Sequence, residues 1–269
     1  MYYTIGMQQE YWLKQSKDTP LFPGILWSRP ENKQTAGKLL IVGGNLHGFI
    51  DAGISYQKAV QAGAGTVKVL LPDALQKIVG GSLENCEYAP STPSGSFAKN
   101  ALTELLTYAQ WADCVLLAGE FGRNSETAIL LEDFVQKYSG LLCVTRDALE
   151  YFYSHASLIV DRPNTLIAGS TGQLQKLAMG VHFTSAITTS LDLIRMSEIL
   201  HEFTTQHQAI LLTHQLGTTI VAEKGRVSST KTGANDEIWR VPTAATASVY
   251  WMQNPAQAFE SITTSLIYT

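Results

Sequence analysis

The sequence predicts an α/β domain with buried parallel strands, and three observations carry that prediction. First, Lys38-Leu-Leu-Ile-Val-Gly-Gly44 places four consecutive apolar residues directly before a glycine pair. The run is short and does not alternate, which is the pattern of a strand covered on both faces. Second, a helical pattern follows, with Asp51 as the expected N-cap and Ala52, Tyr56, Ala59 and Gly63 at helical spacing. Third, Gly63 and Gly65 stop that helix, and Val67, Val69 and Leu71 begin another strand. Strand, helix and strand in that order form one crossover unit.

Composition narrows the class. The 269 residues are 45% hydrophobic and only 16% charged, with a formal net charge of −4. A chain of this length can bury a large core in a single domain. The negative balance argues against nucleic acid or an anionic membrane as partner. The low charge fraction points to a surface partly covered by another subunit, hence a homo-oligomer. Cys86, Cys114 and Cys143 lack metal-ligand spacing, and the last two lie in apolar runs, so those two read as buried small residues rather than ligands or half-cystines. No metal is expected, and the chain reads as cytoplasmic. The N-terminus lacks a signal-peptide pattern, and no apolar run is long enough to span a membrane.

The elements follow in chain order. Residues 1–32 form an aromatic-rich arm containing Tyr2, Tyr3, Tyr11, Trp12, Phe22 and Trp27. Its expected form is a short helix over Met7–Gln15, packed on the body or on a neighbouring subunit. Residues 33–269 are read as a single domain. After Leu71, Pro72 and Asp73 open a short helix reaching about Gly80, and Gly81–Ser96 reads as a surface loop. Helical spacing over Phe97–Ala109 precedes a strand at Cys114–Leu117. Arg123–Glu126 caps a helix to Tyr138, with Ile129, Leu130, Phe134 and Val135 inward. Strands are expected at Leu141–Val144, Leu158–Val160 and Asn164–Ala168. A long helix is expected within Thr184–Thr205, its apolar side formed by Ile187, Leu191, Ile194, Ile199 and Phe203. Ile210–Leu212 and Thr219–Ala222 form a strand pair, and a last helix runs from Tyr250 to about Thr264.

Gly43, Gly44 and Gly48 do not have dinucleotide-fold spacing, and a tight strand-to-helix turn without a ligand accounts for them equally well. With its polar loop, however, the glycine pair followed by Gln61-Ala-Gly-Ala-Gly-Thr-Val67 resembles the N-terminal signature of the NAD(P)H-hydrate dehydratase family. These ribokinase-like proteins repair hydrated nicotinamide nucleotides at the expense of ATP or ADP. The resemblance implies a ribokinase-like fold, a central and mostly parallel sheet with helices on both faces. It runs from about Lys33 to Thr264. It makes Gly44, Asn45 and His47 substrate-pocket candidates.

Several motifs are kept in outline and altered in chemistry. Lys33-Gln-Thr-Ala-Gly37 keeps the ends of a Lys-Gly-Asp-x-Gly turn and lacks its acidic residue. Ala118-Gly-Glu-Phe-Gly122 resembles the family's Gly-Pro-Gly-Leu-Gly turn, with Gly119 and Gly122 as counterparts and Glu120 inserted at a phosphate-facing position. A structural turn explains those glycines as well. Thr145-Arg-Asp-Ala-Leu149 stands where the family has Asp-Ala-Asp-Ala-Leu. Asp147 there serves either to face a ligand or to cap a helix. Gly169–Leu177 resembles a Thr-Pro-His-Pro-Gly-Glu turn, with Ser170 and Gln173 at the His and acidic positions. His214 stands near a phosphate-binding Lys position.

Pro242-Thr-Ala-Ala-Thr-Ala-Ser-Val249 aligns on the family's Thr-Gly-Gly-Thr-Gly-Asp-Val. In the family those glycines expose main-chain N–H groups to nucleotide phosphates, and the Asp is the acid/base residue. Here Ala244, Ala245 and Ala247 replace the glycines, and Ser248 replaces the Asp. The nucleotide-binding candidates are therefore Gly119, Gly122, His214, Ala245, Thr246, Ala247 and Ser248, with weak or absent ATP or ADP binding expected. The expectation is a divergent dehydratase-like pseudoenzyme with a modified pocket for a nucleotide or nicotinamide nucleotide. The alternative is an active dehydratase or small-molecule kinase whose acid/base role has moved to Asp147, Asp192 or Asp236.

Overall fold

The computed structural model describes residues 10–80, 85–233 and 240–268. Ten strands form one sheet in the order β1-β10-β9-β8-β7-β6-β5-β2-β3-β4. They are β1 (Trp12–Gln15), β2 (Lys38–Gly43), β3 (Thr66–Pro72), β4 (Cys86–Ala89), β5 (Cys114–Gly119), β6 (Leu141–Thr145), β7 (Thr165–Ala168), β8 (Ile210–Gln215), β9 (Thr218–Glu223) and β10 (Arg226–Lys231). Every pairing is parallel except the two made by β9, which runs antiparallel to β8 and β10.

The helices are α1 (Gly24–Trp27), α2 (Ile50–Gln61), α3 (Gln76–Val79), α4 (Leu102–Trp111), α5 (Ser125–Lys137), α6 (Ser157–Val160), α7 (Thr171–Gly180), α8 (Leu193–Gln206), α9 (Arg240–Gln253) and α10 (Ala258–Ser265). Strand residues alternate between two cores, so that Leu40 and Val42 enter one while Leu39 and Ile41 enter the other. Apolar residues of α4–α8 fill the first core, and those of α2, α3, α9 and α10 fill the second. The fold class expected from the sequence is the one observed. Among the described residues, no helix is long and apolar enough to cross a membrane.

Several local expectations are corrected. Within the N-terminal arm, Trp12–Gln15 is an edge strand rather than a helix, paired in parallel with Val227–Thr230. The Trp12 indole donates to Ser229 Oγ at 3.0 Å, and the Gln15 amide to the Thr263 carbonyl at 2.7 Å. Tyr2 and Tyr3 lie outside the described residues. Cys86–Ala89, read as loop, is the opposite edge strand. Leu158–Val160 belongs to the helical turn α6, because a three-residue apolar run fits a buried helix as well as a strand. The Thr184–Thr205 helix begins only at Leu193, where Asp192 caps it by accepting from Arg195 N at 2.7 Å. Ile129 and Ile194 point outward, at 49% and 56% exposure. Their helices bury Leu131 and Leu200 instead. Asp51 is the second residue of α2, not its N-cap. Cys114 and Cys143 are buried free thiols, as expected.

The stretch Pro242–Val249 is the largest local correction. It is not a loop at a helix start but part of α9. Alanine exceeds glycine in helix propensity by about 1 kcal/mol per residue, so three such replacements favour winding by about 3 kcal/mol.

Candidate functional site

β2 neighbours β3 on one side and β5 on the other, so the chain reverses its direction of sheet growth there. In open parallel sheets the crevice beyond the carboxyl ends of such strands is where ligands sit. The loops after β2 and β5 meet at that point. Gly44 N donates to the Gly119 carbonyl at 3.0 Å, and the Asn45 amide to the Glu120 carbonyl at 2.5 Å. Asn45 also accepts from His47 N at 2.7 Å, which closes a tight turn in the first loop. Gly119 has φ +107°, and a β-carbon there would approach Arg146 Cβ to 2.6 Å and Asp147 Oδ1 to 2.9 Å. That position accepts only glycine.

Asp147 holds the second loop in place. Its two carboxylate oxygens accept from Glu120 N at 2.6 Å and Phe121 N at 3.0 Å. It follows β6 at the head of a 3-10 run whose N-cap is Thr145, so it does not act as the helix cap. Burial raises the pKa of Asp147, with the backbone donors of Glu120 and Phe121 opposing that shift. Glu120 adopts φ 58° and turns its carboxylate toward α2, accepting from Asp51 N at 2.8 Å. Burial raises its pKa too.

Polar side chains continue from there along the cleft. Arg146, itself at φ 59°, pairs through Nε with Asp51 Oδ2 at 2.7 Å. Its carbonyl accepts from the Gln173 amide at 2.8 Å, and Gln173 Oε1 accepts from Arg240 Nη1 at 3.0 Å. Glu120, Arg146, Asp147, Glu150, Gln173 and Arg240 line a cleft of ≈ 310 Å³. Asp147 and Glu150 also line an adjoining cleft of ≈ 540 Å³ with Gly122, Arg123, Asn124 and Tyr151. A separate cleft of ≈ 350 Å³ lies by Asn164, His207 and Ile210, at the opposite ends of β7 and β8.

The structure brings Gly44, Asn45, Gly119, Gly122 and Asp147 together at this crevice, with His47 in its first loop. Ser170 and Gln173 form the capping box of α7, and Gln173 additionally lines the cleft. His214 lies buried on β8 with Nδ1 at 3.0 Å from Thr219 Oγ1. Ala245, Thr246, Ala247 and Ser248 are buried within α9. The Ser248 hydroxyl donates to the Ala244 carbonyl at 2.8 Å. It lies against the thiols of Cys114 and Cys143, whose pKa values burial raises, that of Cys143 to about 12. Asp192 is an exposed cap on α8, and Asp236 lies outside the described residues. The sequence reading did not single out Arg240 or the Arg146–Asp51 pair. A basic residue within the Thr145–Leu149 motif was the available signal for Arg146. For Arg240 it was a cation two residues before Pro242.

No protein-family model matches the chain. In sequence it is 26% identical over 209 residues to the bifunctional NAD(P)H-hydrate repair enzyme Nnr of Moorella thermoacetica. That match covers 75% of this chain but only 37% of the Moorella enzyme. In structure it resembles a ribokinase-like superfamily protein of Enterococcus faecalis, with a TM-score of 0.71 at 14% identity, covering 99% of this chain and 87% of that one. It also resembles the ADP/ATP-dependent NAD(P)H-hydrate dehydratase of Bacillus subtilis crystallised with ATP and Mg²⁺. There the TM-score is 0.56 at 12% identity, with 87% and 79% of the two chains covered.

Proposed function

We infer a function from two findings: the fold is ribokinase-like, and the chain's sequence resembles that of an NAD(P)H-hydrate repair enzyme. From that premise we propose that it is a divergent NAD(P)H-hydrate dehydratase-like protein, catalytically impaired, that retains a small-molecule pocket at the β2–β5 crevice. One observation carries this reading. The residue aligned with the family's acid/base Asp is Ser248, which is fully buried in α9 and donates its hydroxyl to Ala244. A serine so placed has neither the pKa nor the access of a general base. Ala244, Ala245 and Ala247 are also 0% exposed, and their N–H groups lie beyond the first turn of α9, where they bond within the helix. Losing two charge-assisted contacts to phosphate weakens binding about a hundredfold or more, which supports weak or absent ATP and ADP binding. The Gly119–Gly122 loop, Asp147 and Gln173 are the residues we assign to the remaining pocket. We also read the chain as a cytoplasmic homo-oligomer. Its free thiols support a reducing compartment, and light scattering at 29.4 kDa would overturn the oligomer.

The test is recovery of NADH absorbance from NAD(P)H-hydrate with ATP or ADP present. No turnover above background is expected. Robust turnover that survives Ser248→Ala and is lost in Asp147→Asn would favour the second reading, an active enzyme with a relocated carboxylate. The position of Asp147 at the end of β6, lining the cleft, supports examining that reading.

A further inference from the structure

Four arginines are partly buried in the described structure, and three of them are well supplied with acceptors. Arg29 donates to Gln253 Oε1, the Tyr250 hydroxyl and the Ala62 carbonyl. Arg162 has no carboxylate either, yet its donors meet the carbonyls of Tyr138, Gly140, Pro163 and Asn164 and the hydroxyl of Thr165. Arg146 pairs with Asp51. Arg240 differs from all three. Among the described residues its one hydrogen bond is from Nη1 to Gln173 Oε1, a neutral acceptor, while Nε is buried and finds no partner there.

A half-buried cation with no direct ion pair among the described residues is costly, and only the charges of Asp51 and Glu150, neither in a salt bridge with it, offset that cost. Burial lowers the pKa of Arg240, and the nearby charge of Arg146 lowers it further. It remains protonated at neutral pH all the same. Two of the cleft's carboxylates are committed elsewhere, Asp147 to the amides of Glu120 and Phe121 and Glu120 to the amide of Asp51, while Glu150, at the same cleft, acts on Arg240 through its charge without forming an ion pair. Among the described residues none is paired with Arg240. With Nη1 on Gln173 and Nε buried, Nη2 is the guanidinium donor left for a planar or tetrahedral oxyanion.

We infer that Arg240 is the anchor for an oxyanion, a phosphoryl or carboxylate group on a small ligand, bound in the cleft it lines with Gln173 and Arg146. The inference rests on the reading that this crevice still holds a ligand. It moves the anion-binding role from main-chain N–H groups, which α9 now occupies, to a side chain on the same helix. Gln173 is a positioning residue in this arrangement, since it bridges the Arg146 carbonyl and the Arg240 guanidinium.

The test is calorimetric titration of the full chain in low-salt Tris chloride with inorganic phosphate, pyrophosphate and acetate as separate probes. Saturable binding of at least one probe is expected, and the preference among them distinguishes a phosphoryl from a carboxylate source. Arg240→Gln should weaken that binding about 10–100-fold, and Arg240→Lys should fall between the two. Thermal unfolding supplies a second readout. Without ligand, Arg240→Gln should melt no lower than the unmodified chain, because an unpaired buried charge has been removed, and the probe should raise the melting temperature of the unmodified chain alone. Absence of saturable binding by every probe overturns the inference, as does binding unchanged in Arg240→Gln. Hydrate turnover is a separate measurement. Robust turnover alongside Arg240-dependent binding would overturn the pseudoenzyme reading and leave this inference in place.

Discussion

Ser248 and Ala244 are joined by a hydroxyl-to-carbonyl hydrogen bond of 2.8 Å inside one turn of α9, away from solvent. Ser248→Asp should therefore not restore chemistry. It would place a carboxylate among Cys114, Cys143 and the apolar residues of the second core. The expected loss is about 3 kcal/mol or more of unfolding free energy, part of which the carboxyl avoids by staying protonated. Ser248→Ala should lie within about 1 kcal/mol of the unmodified chain, since only a local back-bond is removed. Urea denaturation of the two variants measures both. A fully stable Ser248→Asp protein would mean that this part of α9 opens.

Gly119→Ala tests the junction of the β2 and β5 loops. The new methyl would meet Arg146 and Asp147 at a backbone angle of φ +107°. A cost of about 1–3 kcal/mol is expected, together with weakened oxyanion binding, because Arg146 must shift. Unchanged stability and binding would show that the two loops move independently.

Asp147 and Glu120 give a pH dependence of unusual sign. Burial is the leading cause that raises both, above ordinary values of 3.8 and 4.5. The folded chain therefore keeps these protons to higher pH than the unfolded chain does. Their contribution to stability falls as pH rises from the ordinary values through the raised ones, and is flat above them. Subtracting the Asp147→Asn profile from that of the unmodified chain should leave a difference that declines with rising pH. A difference that climbs would mean that the amides of Glu120 and Phe121 outweigh burial.

Deleting residues 1–27 should lower both stability and solubility. β1 covers the outer side of β10 through Trp12, Leu13, Lys14 and Gln15. Without it, the four β10 residues Val227–Thr230 lose their strand partner on that side. Light scattering and thermal melts report the change. A truncated chain as soluble and as stable as the intact one would show β1 to be dispensable.

The interior of the sheet was legible because burial on both faces forces continuous apolar runs, as in Leu39–Val42 and Val115–Leu117. Its edges were not. Trp12–Gln15 and Cys86–Ala89 are four residues each and mixed in polarity, so neither period nor propensity marks them. For the crevice, the glycines of the two loops were visible as turn signals, and Asp147 was visible as a carboxylate at a strand end. The setting of Arg240 was not visible, because its hydrogen bond to Gln173 joins positions 67 apart in the chain. The winding of Ala244–Ser248 was the subtler miss. Ala244, Ala245 and Ala247 stand where the family has glycines, and their higher helix propensity favours the winding seen in α9.

The parallel pairing of β1 with β10 also governs the order of assembly. Gln15 and Thr230 hydrogen-bond across 215 positions of sequence, so β1 has no partner until most of the chain has been made. At a synthesis rate of about 5–20 residues per second, that is a wait on the order of 10–40 s. Throughout it, Trp12 and Leu13 are available to any other strand or to a chaperone. Closure of so long a loop also raises the contact order and slows folding. The last sheet contact made is thus expected to be between the earliest strand and one of the latest.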